Sequence, residues 1–220
     1  MTVLILLSHG SRHPGAAPGI DRLADAVASL TGLPTVPAHL ELCSPSLADA
    51  ARAIAVDYPQ ESEVLVVPLL FTQGFHARWD VPAQVAAASE ASGLNLRVTR
   101  GLGTGPDMAQ VLAERVTDPR AHLVVYAVGS TDRMPNTEVE RLAVRLADIT
   151  GQSTSVAFAT RGGVNAIARQ REVYPHLEIL PLFVTQGLLL DAVGEDLQPL
   201  QEALAPLIAR RVRAYSKVGV

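Results

Sequence analysis

Three side chains able to share one divalent ion stand far apart in this sequence: His9, Glu41 and His76. Imidazole nitrogen and carboxylate oxygen together form a ligand set for first-row divalent metals. With only three protein ligands, coordination positions stay open, so such a site can take up an ion, pass it on or activate water. A neutral imidazole, with an ordinary pKa of about 6.5, also accepts a proton near neutral pH. Taken singly, a histidine or glutamate after a strand is as readily a cap or a solvated surface group. Their shared position is the stronger signal: each stands at or just past the end of one of the first three strand candidates.

The elements that must position them follow from the hydrophobic pattern. Strand candidates are Val3–Ser8, Thr35–Leu42, Val64–Leu70, Leu96–Arg100, Leu123–Val128, Thr154–Ala159, Leu177–Val184 and Val212–Val218. Between them Ile20, Leu23, Val27 and Leu30 recur at helical spacing, as do Leu142, Leu146 and Ile149. Gly32 and Gly151 follow as helix stops. Strands alternating with helices predict right-handed βαβ units and parallel sheets, which gather strand ends on one rim.

The segment Pro68-Leu69-Leu70-Phe71-Thr72-Gln73-Gly74 returns as Pro181-Leu182-Phe183-Val184-Thr185-Gln186-Gly187, and Gly10-Ser11 returns as Gly129-Ser130. The expected fold class is therefore α/β, with two similar lobes, each a parallel four-stranded sheet flanked by helices, and a cleft between them. Asp118-Pro119 marks the expected boundary, giving lobes 1–118 and 119–220. Aligned on these repeats, His9 meets Val128, His76 meets Leu189, and Glu41 meets Phe158 or a near neighbour. The polar residues are lost together while the framework persists, which predicts one working lobe and one degenerate lobe.

Composition narrows the class. The chain has 220 residues, 48% of them hydrophobic, and a formal net charge of −4 without a basic block, so no nucleic-acid partner is expected. No apolar run reaches the roughly 18 residues of a membrane span. The opening Met1–Leu7 lacks the basic start of a signal peptide and reads as a buried strand. One cysteine, Cys43, rules out a disulfide within the chain and fits the reducing cytoplasm; it reads as a small buried hydrophobe.

Leu7-Ser8-His9-Gly10-Ser11-Arg12, His39-Leu40-Glu41-Leu42-Cys43-Ser44-Pro45-Ser46-Leu47 and Val66 through Pro82 resemble, in order and spacing, the three signature segments of the CbiX/SirB family. These are ATP-independent class II chelatases acting on sirohydrochlorin. The resemblance implies the chelatase-like fold, with metal-site histidines at His9 and His76 and the acidic residue at Glu41. It implies insertion of Co²⁺ or Fe²⁺, with Ni²⁺ also possible, into a tetrapyrrole in sirohaem or cobalamin biosynthesis. The ion is then a substrate, and no permanently bound cofactor is expected. The many carboxylates of sirohydrochlorin call for cations and donors, for which Arg12, Arg78, Ser11, Ser44 and Thr72 are the candidates. A duplicated chain supplies both halves of a cleft, so a monomer is expected.

Other residues carry weaker signals. His39 alternates with Glu41 and is either its outer partner or a core histidine. His13 reads as a loop histidine, and Trp79 as a cover for the macrocycle or a packing residue. His122 and His176 start strands, at the wrong end for the site. Gly101-Leu102-Gly103-Thr104-Gly105 lacks the pattern of a phosphate loop and reads as a loop entering a helix.

Two other functions compete. A metal or tetrapyrrole carrier would use the same site without insertion. A histidine phosphatase would use His9 as phosphoryl acceptor, but the arginine that should precede it is Ser8.

Overall fold

The computed structural model describes residues 2–60, 63–194 and 196–218, with side chains as far as 215. In chain order its elements are β1 (Val3–Ser8), α1 (Ala16–Thr31), β2 (Thr35–His39), α2 (Leu47–Asp57), β3 (Glu63–Pro68), α3 (Val81–Ser92), β4 (Asn95–Val98), α4 (Pro106–Ala113), β5 (His122–Ala127), α5 (Arg133–Thr150), β6 (Thr154–Phe158), α6 (Gly163–Val173), β7 (Leu177–Pro181), α7 (Leu188–Asp191) and α8 (Ala205–Val218). The chain forms two compact units, Met1–Gly103 with Gln201–Val220, and Thr104–Leu200.

In the first unit the sheet is parallel, in the order β2-β1-β3-β4. Strand β1 is apolar up to Ser8 and fully buried, as expected for a parallel strand covered on both faces. Val3, Ile5 and Leu7 pack with Leu47, Ala50 and Ile54 of α2 and Val81, Val85 and Ala88 of α3. The alternate residues, Leu4 and Leu6, point to the other face. Because β1 is followed by β2 on one side and β3 on the other, the chain reverses its winding direction at β1. That switch point is where an open α/β sheet leaves a crevice beyond its strand ends.

In the second unit the order is β6-β5-β7, again parallel. The expected four-stranded second sheet is thus three-stranded. The eighth strand candidate, Val212–Val218, is the end of helix α8. Its buried residues Ala205, Ile208, Ala209 and Val212 follow helical spacing, and the sequence from Arg213 to Lys217 has no apolar alternation. Helix α8 packs on α1, and the Arg211 guanidinium donates to the carbonyls of Gly101 and Leu102 at 3.2 and 3.1 Å. The C-terminal segment accordingly belongs to the first unit, which departs from the expected split at 118/119.

Gly32 and Gly151 cap α1 and α5 in the left-handed conformation, as their positions predict. The Gly101–Gly105 segment is a loop leading into α4. Among the described residues no helix is long and apolar enough to cross a membrane.

Candidate metal centre

The centre begins with backbone pairing. Past the end of β2 two irregular bonds still reach the end of β1, from consecutive residues: Leu40 N–H to the Ser8 carbonyl at 2.9 Å and Glu41 N–H to the His9 carbonyl at 3.0 Å. His9 and Glu41 thereby become neighbours across adjacent strand ends. Gly10 permits this approach: its φ is +94°, and a Cβ there would lie 1.7 Å from the Glu41 carbonyl oxygen. The Glu41 carbonyl then accepts the Cys43 N–H at 2.8 Å, closing a three-residue turn on Leu42, whose φ is +64°. A positive φ at a leucine is a strained state that the surrounding structure must hold.

The two loops are also stitched by Cys43. Its thiol donates to the Ser11 carbonyl at 2.9 Å and accepts the Ser11 N–H at 3.4 Å. Cys43 is half-buried, so it is a linker between loops instead of the fully buried hydrophobe its type suggests.

His76 comes from the loop after β3. It opens a single π-helical turn, His76–Asp80, in which the Val81 N–H reaches back to the His76 carbonyl. Such turns are rare and gather at functional sites. The turn runs straight into α3, where Gln84 Nε2 donates to the Leu40 carbonyl at 3.0 Å and ties the His76 element to the Glu41 loop.

The result is a compact cluster. His9 Nε2 lies 3.2 Å from Glu41 Oε1, and the two imidazole rings sit 4.3 Å apart, tilted by 47°. One donor atom from each of His9, Glu41 and His76 falls within 4.8 Å of the others. Donors each about 2 Å from one ion lie about 3–4 Å apart, so a small side-chain adjustment closes the set. All three side chains are roughly half exposed and open to an incoming ion.

The electrostatics favour ligation over charge. Burial holds the His9 pKa below its ordinary value, the neighbouring His76 lowers it further, and Glu41 and Asp80 pull the other way. A neutral imidazole keeps a lone pair for a metal. His9 Nδ1 is buried and has no hydrogen-bond partner among the described residues. With Nε2–H donating to Glu41, that orphan atom is a bare acceptor instead of an unpaired N–H.

The family profile of CbiX matches residues 3–119, more than half of the chain. The chain belongs to the CbiX family.

Individual members are similar to this CbiX-family chain over part of its length. The chloroplastic sirohydrochlorin ferrochelatase of Arabidopsis thaliana is 31% identical over 122 residues, 54% of this chain and 53% of the relative. The sirohydrochlorin cobaltochelatase of Methanopyrus kandleri is 28% identical over 91 residues, 41% of this chain and 62% of the relative. The matched part thus spans only 53–62% of the length of these curated relatives. Among solved structures, SirB from Bacillus subtilis with Fe³⁺ matches with a TM-score of 0.77 at 18% identity, covering 96% of this chain and 94% of that one. CbiX of denitrifying bacteria matches with a TM-score of 0.67 at 22% identity, covering 96% and 98%. These structures share the fold of the CbiX-family chain, two parallel sheets flanked by helices.

Other sequence candidates take varied places. Arg12, Arg78 and Ser44 are exposed beside the cluster in sequence, and Thr72 is half-buried. The Ser11 hydroxyl accepts the His13 N–H at 3.1 Å, and the His13 ring accepts the Gly15 N–H at 3.0 Å, so both help to shape the turn before α1. Trp79 is 66% exposed, and Phe75, just before His76, and Leu42, just after Glu41, are exposed too; Trp79 is not a packing residue.

His39 is not a partner of Glu41. It is buried, and its Nδ1 pairs with Ser8 Oγ at 2.7 Å. The alternation that would place both on one side fails because β2 ends at His39. His122 is structural as expected, buried between the Ser153 and Ser155 hydroxyls, both at 2.8 Å, and stacked on Tyr174. The phosphatase reading loses ground because His9 faces a carboxylate, which repels a phosphate.

Asp80 escaped sequence reasoning. Its carboxylate lies 2.5 Å from His76 Nδ1. The i, i+4 spacing of His76 and Asp80 was the available signal, hidden because that stretch reads as a loop.

The second unit refines the internal comparison. There the Thr160 N–H donates to the Val128 carbonyl at 3.0 Å, so Thr160, a near neighbour of Phe158, stands where Glu41 stands. Its hydroxyl is spent on the same carbonyl at 2.8 Å. Val128 and Leu189 replace the histidines, and both are partly exposed.

Proposed function

We propose that this chain inserts a divalent metal, Co²⁺ or Fe²⁺, into sirohydrochlorin, with His9, Glu41 and His76 handling the ion. The observation that carries the reading is the convergence of those three donors at the switch point of the first sheet. Membership of the CbiX family and the sirohydrochlorin chelatases among its relatives support the substrate class.

Metallation must bring an ion to the ring nitrogens and remove two N–H protons. In this account the ion first meets the imidazoles and the Glu41 carboxylate, and the open coordination positions let it leave for the macrocycle. As the ion leaves, His9 and His76 each accept one of the two ring protons, and Glu41, in hydrogen-bond reach of His9 Nε2, passes a proton outward. Exposed Leu42, Phe75 and Trp79 offer apolar surface to the macrocycle face. Arg12 and Arg78 pair with its carboxylates, and Ser11, Ser44 and Thr72 supply hydrogen bonds. Imidazole and carboxylate also accept Ni²⁺.

The ion is a substrate instead of a resident cofactor, with one centre per chain, in a monomer working in the cytoplasm. The test is the absorbance change of sirohydrochlorin mixed with Co²⁺ or Fe²⁺. The protein is expected to accelerate it. Pigment binding without acceleration would leave a carrier in place of a chelatase.

A further inference from the structure

We infer that Asp80 is a positioning residue for metal capture: it fixes His76 in the tautomer whose bare Nε2 meets the incoming ion. The inference deepens the proposed function and rests on its assignment of His76 as a metal ligand. An ionised carboxylate can only accept hydrogen bonds, so the Asp80 contact places the ring proton on His76 Nδ1. Nε2 is then the lone-pair nitrogen. The donor and acceptor sit one turn apart in the π-helical segment His76–Asp80, and the helix that follows holds that turn in place. A carboxylate behind a metal-binding histidine fixes ring orientation and raises ligand basicity.

The two imidazoles of the cluster are therefore not equivalent. His76 has a carboxylate behind it and an unencumbered nitrogen in front. His9 has a buried Nδ1 without a partner among the described residues behind it and a carboxylate in front. His76 is the imidazole prepared to receive the ion before any proton moves, and His9 joins only when its ring proton shifts from Nε2 to Nδ1, which bares the Nε2 lone pair. Asp80, 34% exposed, is close enough to solvent to be replaced without opening the core.

The experiment titrates Co²⁺ into the wild type, Asp80→Ala and Asp80→Asn, following the visible bands of bound cobalt. In parallel, ¹⁵N NMR of the metal-free proteins reads the His76 tautomer. Asp80→Ala is expected to weaken Co²⁺ binding about 10–100-fold, with the Nδ1–H tautomer no longer dominant. Asp80→Asn can still accept from Nδ1 through its amide oxygen, so it should retain the tautomer and much of the affinity. Sirohydrochlorin binding should be unchanged in both. Wild-type cobalt affinity in Asp80→Ala, or an unchanged His76 tautomer, overturns the inference. Wild-type protein that binds Co²⁺ in an Asp80-dependent way yet fails to accelerate metallation would sink the proposed function while leaving this inference standing.

Discussion

Gly10 and Glu41 meet so closely that no side chain fits between them: a Cβ on Gly10 would lie 1.7 Å from the Glu41 carbonyl oxygen. The obstacle is backbone, so it cannot swing aside. Gly10→Ala should therefore push the Glu41 loop away from His9. A left-handed backbone alone costs an alanine roughly 1–2 kcal/mol. Gly93→Ala isolates that cost, because Gly93 has φ +73° and nothing within 4 Å of its Cβ position. Thermal unfolding of both variants should show Gly10→Ala as the more destabilised. Cobalt titration should show metal binding impaired only in Gly10→Ala. Equal effects of the two substitutions would mean that the Gly10–Glu41 contact does not organise the centre.

Glu41 itself can be tested without disturbing shape. Glu41→Gln keeps a hydrogen-bonding group beside His9 but removes the charge. Co²⁺ affinity should fall at least about tenfold, the lower edge of what even outer partners of a metal site contribute. Unchanged affinity by equilibrium titration would reduce Glu41 to a bystander.

The Ser8–His39 pair gives a prediction separate from function. Both residues are buried, and the 2.7 Å hydrogen bond joins the ends of β1 and β2. Ser8→Ala leaves a buried imidazole nitrogen unpaired, at a cost of about 1–3 kcal/mol. Denaturant unfolding should detect that loss. Metal affinity should change little, because His39 does not touch Glu41; a large drop would restore His39 to the metal site.

Acid should weaken the fold through buried histidines. Burial lowers the pKa of His39 and of His122 below the ordinary 6.5, with Asp21 partly opposing it at His39. The unfolded chain then binds protons more readily than the folded one, so stability rises with pH in that range. The contribution is complete above about pH 6.5 and is lost as pH falls toward the lowered folded-state values. Unfolding free energy measured across this range should decline toward acid, and less steeply in His122→Gln. A flat profile would mean that neither ring titrates with folding.

Much of this was legible in the sequence because parallel sheets write their pattern plainly. The six apolar-to-small residues of β1, the glycine caps at Gly32 and Gly151 and the repeated Thr-Gln-Gly segments located strands, helices and the duplication. Strand-end logic alone places His9, Glu41 and His76 on one rim, where the structure also has them. What escaped depended on geometry without a periodic signature. The π turn made Asp80 a neighbour of His76, β2 ended at His39 and left that residue in the core, and α8 took up apolar residues that mimic a strand. The equivalence of Thr160 with Glu41 needed the hydrogen-bond ladder, since the repeats flanking it are spaced differently.

In the proposed function His9 and His76 together deliver the ion to the macrocycle. That role is tested most directly by the metallation rate of sirohydrochlorin with Co²⁺, compared between the wild type and the His9→Ala/His76→Ala double variant, with folding checked by circular dichroism. The wild type should accelerate metallation, and the folded double variant should show only the uncatalysed rate. Full activity in the double variant would contradict it.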